Sequence, residues 1–300
     1  MPRSAGLYAA LLAGVIYLLL ALTPQISLGG GLADLLSSVG VTLIFTALSV
    51  ALAVQVARWR LRPLLEVFGA VLAAGVWQGA TALSDGPGTR LYLGPLANVA
   101  FILVCLLAGR LLSRLLRDRN ILLPVAVVAI LADIFTVAIG PTGRALQQAP
   151  ELVEKFSVGL PQLGSAAGPQ GAAGLAMLAT MGVGDFVFLA LFLTAAARFA
   201  FPLRRGALII APLVCLALLS YFALPLLGIV LPGVPLLPFI AGGFLLAYGR
   251  RFSLSPEEKR GLIWAGVLLV VLLGGAAWMM KAGPTPPSAD LGHPSQSGRG

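Results

Sequence analysis

Apolar runs of about twenty residues recur along the whole chain, and each is long enough to cross a bilayer as a helix. Nine can be read: 7–24, 35–57, 64–83, 91–112, 121–140, 174–198, 206–228, 232–249 and 262–280. Lipid offers no water to an open backbone, so such segments close their hydrogen bonds internally as helices. The expected fold class is therefore all-α, a polytopic membrane protein of about nine transmembrane helices. Composition agrees, with 59% hydrophobic and 10% charged residues among 300 and a mean hydropathy of +0.98. The first run is too long for a signal-peptide core and lacks a small-residue cleavage site, so it is read as a span.

Charge distribution tests this count. With the N-terminus cytoplasmic, 15 of the 20 Lys and Arg fall on the cytoplasmic side. They cluster at Arg3, at 58–62, at 110–119, at 198–205 and at 250–260. Only Arg90, Arg144, Lys155, Lys281 and Arg299 fall outside. Alternate loops are thus basic, as the positive-inside rule requires. The net charge of +9 is spread over span ends and forms no single patch, which argues against a nucleic-acid partner. Cys105 and Cys215 each lie within an apolar run, where they read as packing residues with no disulfide or metal role.

Residues 1–120 hold four spans, and 121–249 hold the chemistry-bearing segment. An additional span follows over 250–281. The tail 282–300, rich in Pro, Ser and Gly, is too polar to bury a core and reads as disordered. The longest connection, 141–173, falls on the outer side. The break at 228–232 lies in "LLGIVLPGVPLLP", whose glycines and prolines favour a tight turn or a broken helix.

Of 11 acids, nine lie in loops or at span ends. Asp133 in "ILADIFTVAIG" and Asp185 in "MGVGDFVFL" remain inside spans. A carboxylate at mid-membrane costs about 2.5–3.5 kcal/mol and usually marks function. No Lys or Arg stands at similar depth to pair with either. Counting from the outer ends at 1.5 Å per residue puts them roughly 10 and 16 Å deep, on consecutive antiparallel spans. They can therefore face each other. Two close carboxylates share a proton and titrate as a unit. The protonated member can polarise a peptide carbonyl while the ionised one activates water, which is general acid–base hydrolysis without a covalent intermediate. Gly182 and Gly184 would allow close approach of a helix or of a substrate backbone. By itself Gly-x-Gly-Asp serves helix packing or gating equally well. Two intramembrane acids also suit an ion pathway, so a transporter or channel relaying protons or cations through Asp133 and Asp185 stays open, as does an inactive scaffold.

The remaining inventory excludes several chemistries. The only histidine, His293, lies in the tail, which argues against a Ser–His protease and against a His-Glu-x-x-His zinc site. No Walker A or dinucleotide fingerprint stands in a suitable context, and nothing calls for a metal or an organic cofactor.

Three motifs resemble those of the presenilin and signal peptide peptidase family of intramembrane aspartyl proteases. "ADIFTV" (132–137) is similar to the first catalytic motif, closest to the Asp-x-Phe-x-Val of the peptidase branch. "GVGDFVF" (182–188) resembles the second, Gly-x-Gly-Asp, and "LPGVPLLP" (231–238) the third, which contains Pro-Ala-Leu. Their order matches, and the resemblance covers about 121–249. It implies a presenilin-like core with Asp133 and Asp185 as the catalytic pair. Gly182 and Gly184 would shape the site, and Pro232, Gly233 and Val234 would help engage substrate. Ala132 stands where the family has Tyr, and Pro-Gly-Val replaces Pro-Ala-Leu. Four spans precede the first catalytic span where the family has five, and one extra span follows the third motif. Type IV prepilin peptidases also use Gly-x-Gly-Asp, typically with a Lys two residues later, where Val187 stands here.

The expected protein is an intramembrane aspartic endopeptidase of a prokaryotic plasma membrane, N-terminus cytoplasmic and C-terminus outside. Its partners would be the bilayer and single-span proteins or peptides, including signal-peptide remnants with a cytoplasmic N-terminus. The segment 228–235 would hold an unwound substrate by strand-like pairing.

Overall fold

A computed structural model describes residues 2–26, 32–59, 61–84, 86–139, 157–161, 163, 180–223, 235–253 and 255–282. Among the described residues the chain forms α1 (Pro2–Leu22), α2 (Leu32–Ala57), α3 (Pro63–Ala82), α4 (Pro87–Ser113) and α5 (Leu122–Ile139). Two short strands follow, β1 (Ser157–Gly159) and β2 (Thr180–Gly182). Then come α6 (Val183–Arg198), α7 (Leu203–Ala223), α8 (Leu237–Tyr248) and α9 (Pro256–Ala282). Each helix overlaps one expected span. Six of them, α1 to α5 and α7, include a stretch long and apolar enough to cross a membrane. The chain is an integral membrane protein of mostly helical fold.

Helix starts follow local chemistry. Proline opens α3 and α4, where a missing N–H costs nothing. At α9 the Ser255 hydroxyl accepts the Glu258 N–H at 3.1 Å, and the Glu258 carboxylate accepts the Ser255 N–H at 2.6 Å, a reciprocal cap. α6 ends with the Phe201 N–H on the Ala196 carbonyl at 2.7 Å. That turn puts Ala200 at φ 56°, a left-handed conformation usually given to glycine.

Two helices begin inside their expected runs. Within 174–198, α6 starts at Val183, preceded by Thr180–Gly182, which pairs as a strand with Ser157–Gly159. Within 232–249, α8 starts at Leu237. At 1.5 Å per residue these helices of 16 and 12 residues reach about 24 and 18 Å, less than the hydrocarbon thickness of about 30 Å. The fold is mostly helical, in keeping with the all-α expectation; among the described residues it also carries a two-stranded antiparallel sheet, with Val158 opposite Met181 and both side chains buried. The tail 283–300, most of the 141–173 connection and the break at 228–232 lie outside the described residues.

The short helices are the interior ones. α6 packs against α2, α4, α7 and α8, and α8 packs in turn against α5 and α7. α1 lies on α2 and α4, α3 on α4, and α9 on α5. From Phe186 to Ala196 the α6 side chains are almost all buried, whereas α3 exposes Leu64, Phe68, Val71 and Leu72. Such an apolar outer face suits lipid. The tightest helix contact is at Gly109 of α4. A Cβ there would stand 2.9 Å from Ala190 Cβ and would collide with the Val187 carbonyl. Stacked Phe192 and Phe244, with centroids 4.7 Å apart, join α6 to α8. Tyr248 donates to the Pro202 carbonyl at 2.9 Å and accepts the Gly206 N–H at 3.1 Å. These contacts hold α6, α7 and α8 as one block.

Candidate active site

Asp133 lies in the second half of α5, and Asp185 is the third residue of α6. Both are half-buried. Their carboxylates interact electrostatically. The bridging element is α8, which packs against both carrier helices.

Each carboxylate caps a helix. Asp185 Oδ2 accepts the N–H of Gly182, the residue before α6, at 2.9 Å. Asp133 Oδ2 accepts the N–H of Leu237, the first residue of α8, at 3.0 Å. The first turn of a helix leaves N–H groups without intrahelical partners and carries partial positive charge. Two helix starts therefore converge on the pair and replace part of its lost hydration. The compensation that no Lys or Arg supplies comes from backbone. Asp185 is thus a first-turn residue, whereas the uninterrupted span 174–198 would have put it in mid-helix. In both carboxylates Oδ1 has no hydrogen-bond partner among the described residues.

Among the described residues, the glycines beside Asp185 press against no other helix. A Cβ on Gly184 would meet nothing within 4 Å, and one on Gly182 would meet only Asp185 Oδ2, at an ordinary 3.6 Å. Gly182 has φ −76° and ψ 164°, an extended conformation open to any residue. What the two glycines leave is open space next to a carboxylate. β2 ends at Gly182 and, among the described residues, pairs on one side only. Its partner segment is anchored to α2, since Ser38 accepts the Leu163 N–H at 2.9 Å and Thr42 donates to the Pro161 carbonyl at 3.3 Å.

Pro232, Gly233 and Val234 lie outside the described residues; of the described part of the third motif, Leu237 reaches the site. Leu237 supplies that contact with its backbone, and sequence reasoning missed it because a backbone donor has no side-chain signature. The β2 strand was also missed. Its signal was the β-branched Thr180 just before two glycines, hidden in an apolar run. Cys105 and Cys215 are free thiols, and no group of three or more His, Cys, Asp or Glu gathers as a metal site among the described residues. Comparison with protein-family models, curated proteins and solved structures finds no match.

Proposed function

We propose that this chain is an intramembrane aspartic endopeptidase that hydrolyses peptide bonds within membrane-embedded segments. The observation that carries the reading is that Asp133 and Asp185 each accept a backbone N–H at the start of a helix and lie near enough to interact electrostatically. The protonated carboxyl donates its proton toward the scissile carbonyl oxygen. The ionised one takes a proton from water, whose oxygen adds to the carbonyl carbon. The tetrahedral diol then collapses: one of its hydroxyls returns a proton to the ionised carboxylate, the C–N bond breaks, and the leaving nitrogen takes the proton of the other carboxyl, which restores the singly protonated dyad. A peptide bond within a helix is shielded by its own hydrogen bonds, so substrate must be extended at the site. The one-sided β2 strand, ending three residues before Asp185, offers an edge for that pairing. With the basic span ends cytoplasmic, the substrate N-terminus would also be cytoplasmic.

The test is cleavage of a transmembrane reporter by the reconstituted wild type, Asp133→Ala and Asp185→Ala. Cleavage by the wild type alone supports the reading, and equal cleavage by all three sinks it. Aspartate-dependent ion flux without cleavage would assign the pair to a transporter.

A further inference from the structure

A second polar site lies at the other end of α6. Arg198 follows Asp185 by thirteen residues on that helix, roughly 20 Å away. It borders a cavity of about 670 Å³ between the ends of α2, α4 and α6 and the start of α7. The size is that of a small-molecule site.

The lining has one electrostatic sign. Arg58, Arg110, Arg114, Arg198 and Arg204 border the cavity, and no acidic residue does. Among the described residues, the only carboxylate bonded to any of them is Glu66, which is fully buried. It pairs with Arg110 at 2.6 Å and Arg114 at 2.7 Å. Five guanidiniums against one carboxylate leave four uncompensated positive charges. Arg110 also donates to the carbonyls of Val56, Ala57 and Trp59, and Arg198 to that of Ser113. Arg58 and Arg204 are exposed and have no bonded partner among the described residues.

Unused donors border the same space. The Trp59 indole N–H is buried without a hydrogen-bond partner, and so is the hydroxyl of Thr194, a residue only 3% exposed. The start of α7 faces it through Pro202, Leu203 and Arg204. That first turn holds no acid and two arginines, so positive side chains are added where the helix end is already positive. Such a placement is unfavourable until an anion arrives, and a helix start is well suited to receive one.

We propose that this cavity binds a phosphate group, carried by an anionic lipid or by a soluble phosphate ester. Phosphate oxygens only accept, and the free groups here only donate or can donate. Guanidinium forks match phosphate in geometry as well as charge. Basic pockets between spans at the cytoplasmic face are known to suit lipid headgroups. This site is separate from the aspartate pair and does not depend on the protease reading.

The test is thermal unfolding of the full chain in a neutral detergent. It is titrated with short-chain phosphatidylglycerol, with glycerol phosphate, and with sodium chloride at matched ionic strength. The wild type should show a saturable rise in midpoint with phosphatidylglycerol or with both phosphate ligands, and none with chloride. Saturation by the lipid alone identifies a headgroup site, and saturation by both identifies a site open to soluble phosphate. The Arg58→Gln/Arg204→Gln variant removes two exposed cations, one of them at the positive start of α7, so its ligand-free midpoint should equal or slightly exceed that of the wild type. Its apparent affinity should fall at least tenfold. A Trp59→Phe variant, which removes one donor and keeps the ring bulk, should weaken binding severalfold. No saturable rise with either ligand, or equal affinity in wild type and both variants, overturns the proposal.

Discussion

The Leu237 N–H donates to Asp133 Oδ2 at 3.0 Å, joining two residues 104 apart in the chain. The bond ties the start of α8 to the acid of α5. It gives the end of "LPGVPLLP" a defined task, because the first N–H of α8 meets the carboxylate of "ADIFTV". With Asp185 capping α6 in the same manner, both acids are held at Oδ2 by backbone.

Replacement of either acid should separate fold from activity. Asp185→Asn keeps an oxygen for the Gly182 N–H, so its unfolding midpoint should stay near wild type. Reporter cleavage should fall by about 100-fold or more, the scale of general acid–base catalysis. Asp185→Ala should lose the same activity and also about 1 kcal/mol of stability with its cap. Retained cleavage in Asp185→Asn would remove this carboxylate from the mechanism.

The Leu237 amide reports on the cap at α8. Its hydrogen exchange should speed up in Asp133→Ala, which leaves the N–H without its acceptor. In Asp133→Asn, where an oxygen remains, it should stay slow. Equal exchange in both variants would show that the capping bond does not persist in solution.

Gly184 should respond in opposite directions. A methyl there meets nothing within 4 Å, and Ala is a better helix residue than Gly. Gly184→Ala should therefore raise stability by about 0.5 kcal/mol. If substrate backbone occupies the open space, the same change should lower cleavage, mainly through KM. Unchanged kinetics would place the substrate elsewhere.

Gly109 should behave differently, because its missing side chain is filled by the backbone of α6. Gly109→Ala forces α4 away from α6 and should cost about 1–3 kcal/mol, the range of overpacked sites. The measurement is reversible unfolding in mixed micelles. A neutral result would mean the two helices are not held as closely as described.

Glu66 tests the buried ion cluster. It is fully buried, with Arg110 5% exposed and bonded to it at 2.6 Å. Glu66→Ala leaves that guanidinium without its counter-charge and should cost about 3–5 kcal/mol. Arg114→Ala should cost less, near 1 kcal/mol, because Arg114 sits at the surface and Arg110 still pairs with Glu66. Comparable losses in the two variants would contradict this division.

The membrane class of the protein was legible in the sequence. Twenty-residue apolar runs admit helices and little else, since lipid cannot satisfy an open backbone. The two candidate acids were legible for the same reason, being the only carboxylates away from the ends of those runs. Other features depended on groups that a linear reading cannot pair. Residues 180–182 form a strand because Ser157–Gly159 lies alongside, and that pairing turns Asp185 from a mid-helix residue into a cap. Asp133 is compensated by a backbone N–H more than a hundred residues away. Gly109, unremarkable among 36 glycines, is where two helices meet, whereas Gly184 beside the candidate acid packs against nothing. Sequence by itself determined which segments must leave water and which charges must go with them. Tertiary structure decided what meets those charges, because backbone donors and close contacts exist only once distant segments have been brought together.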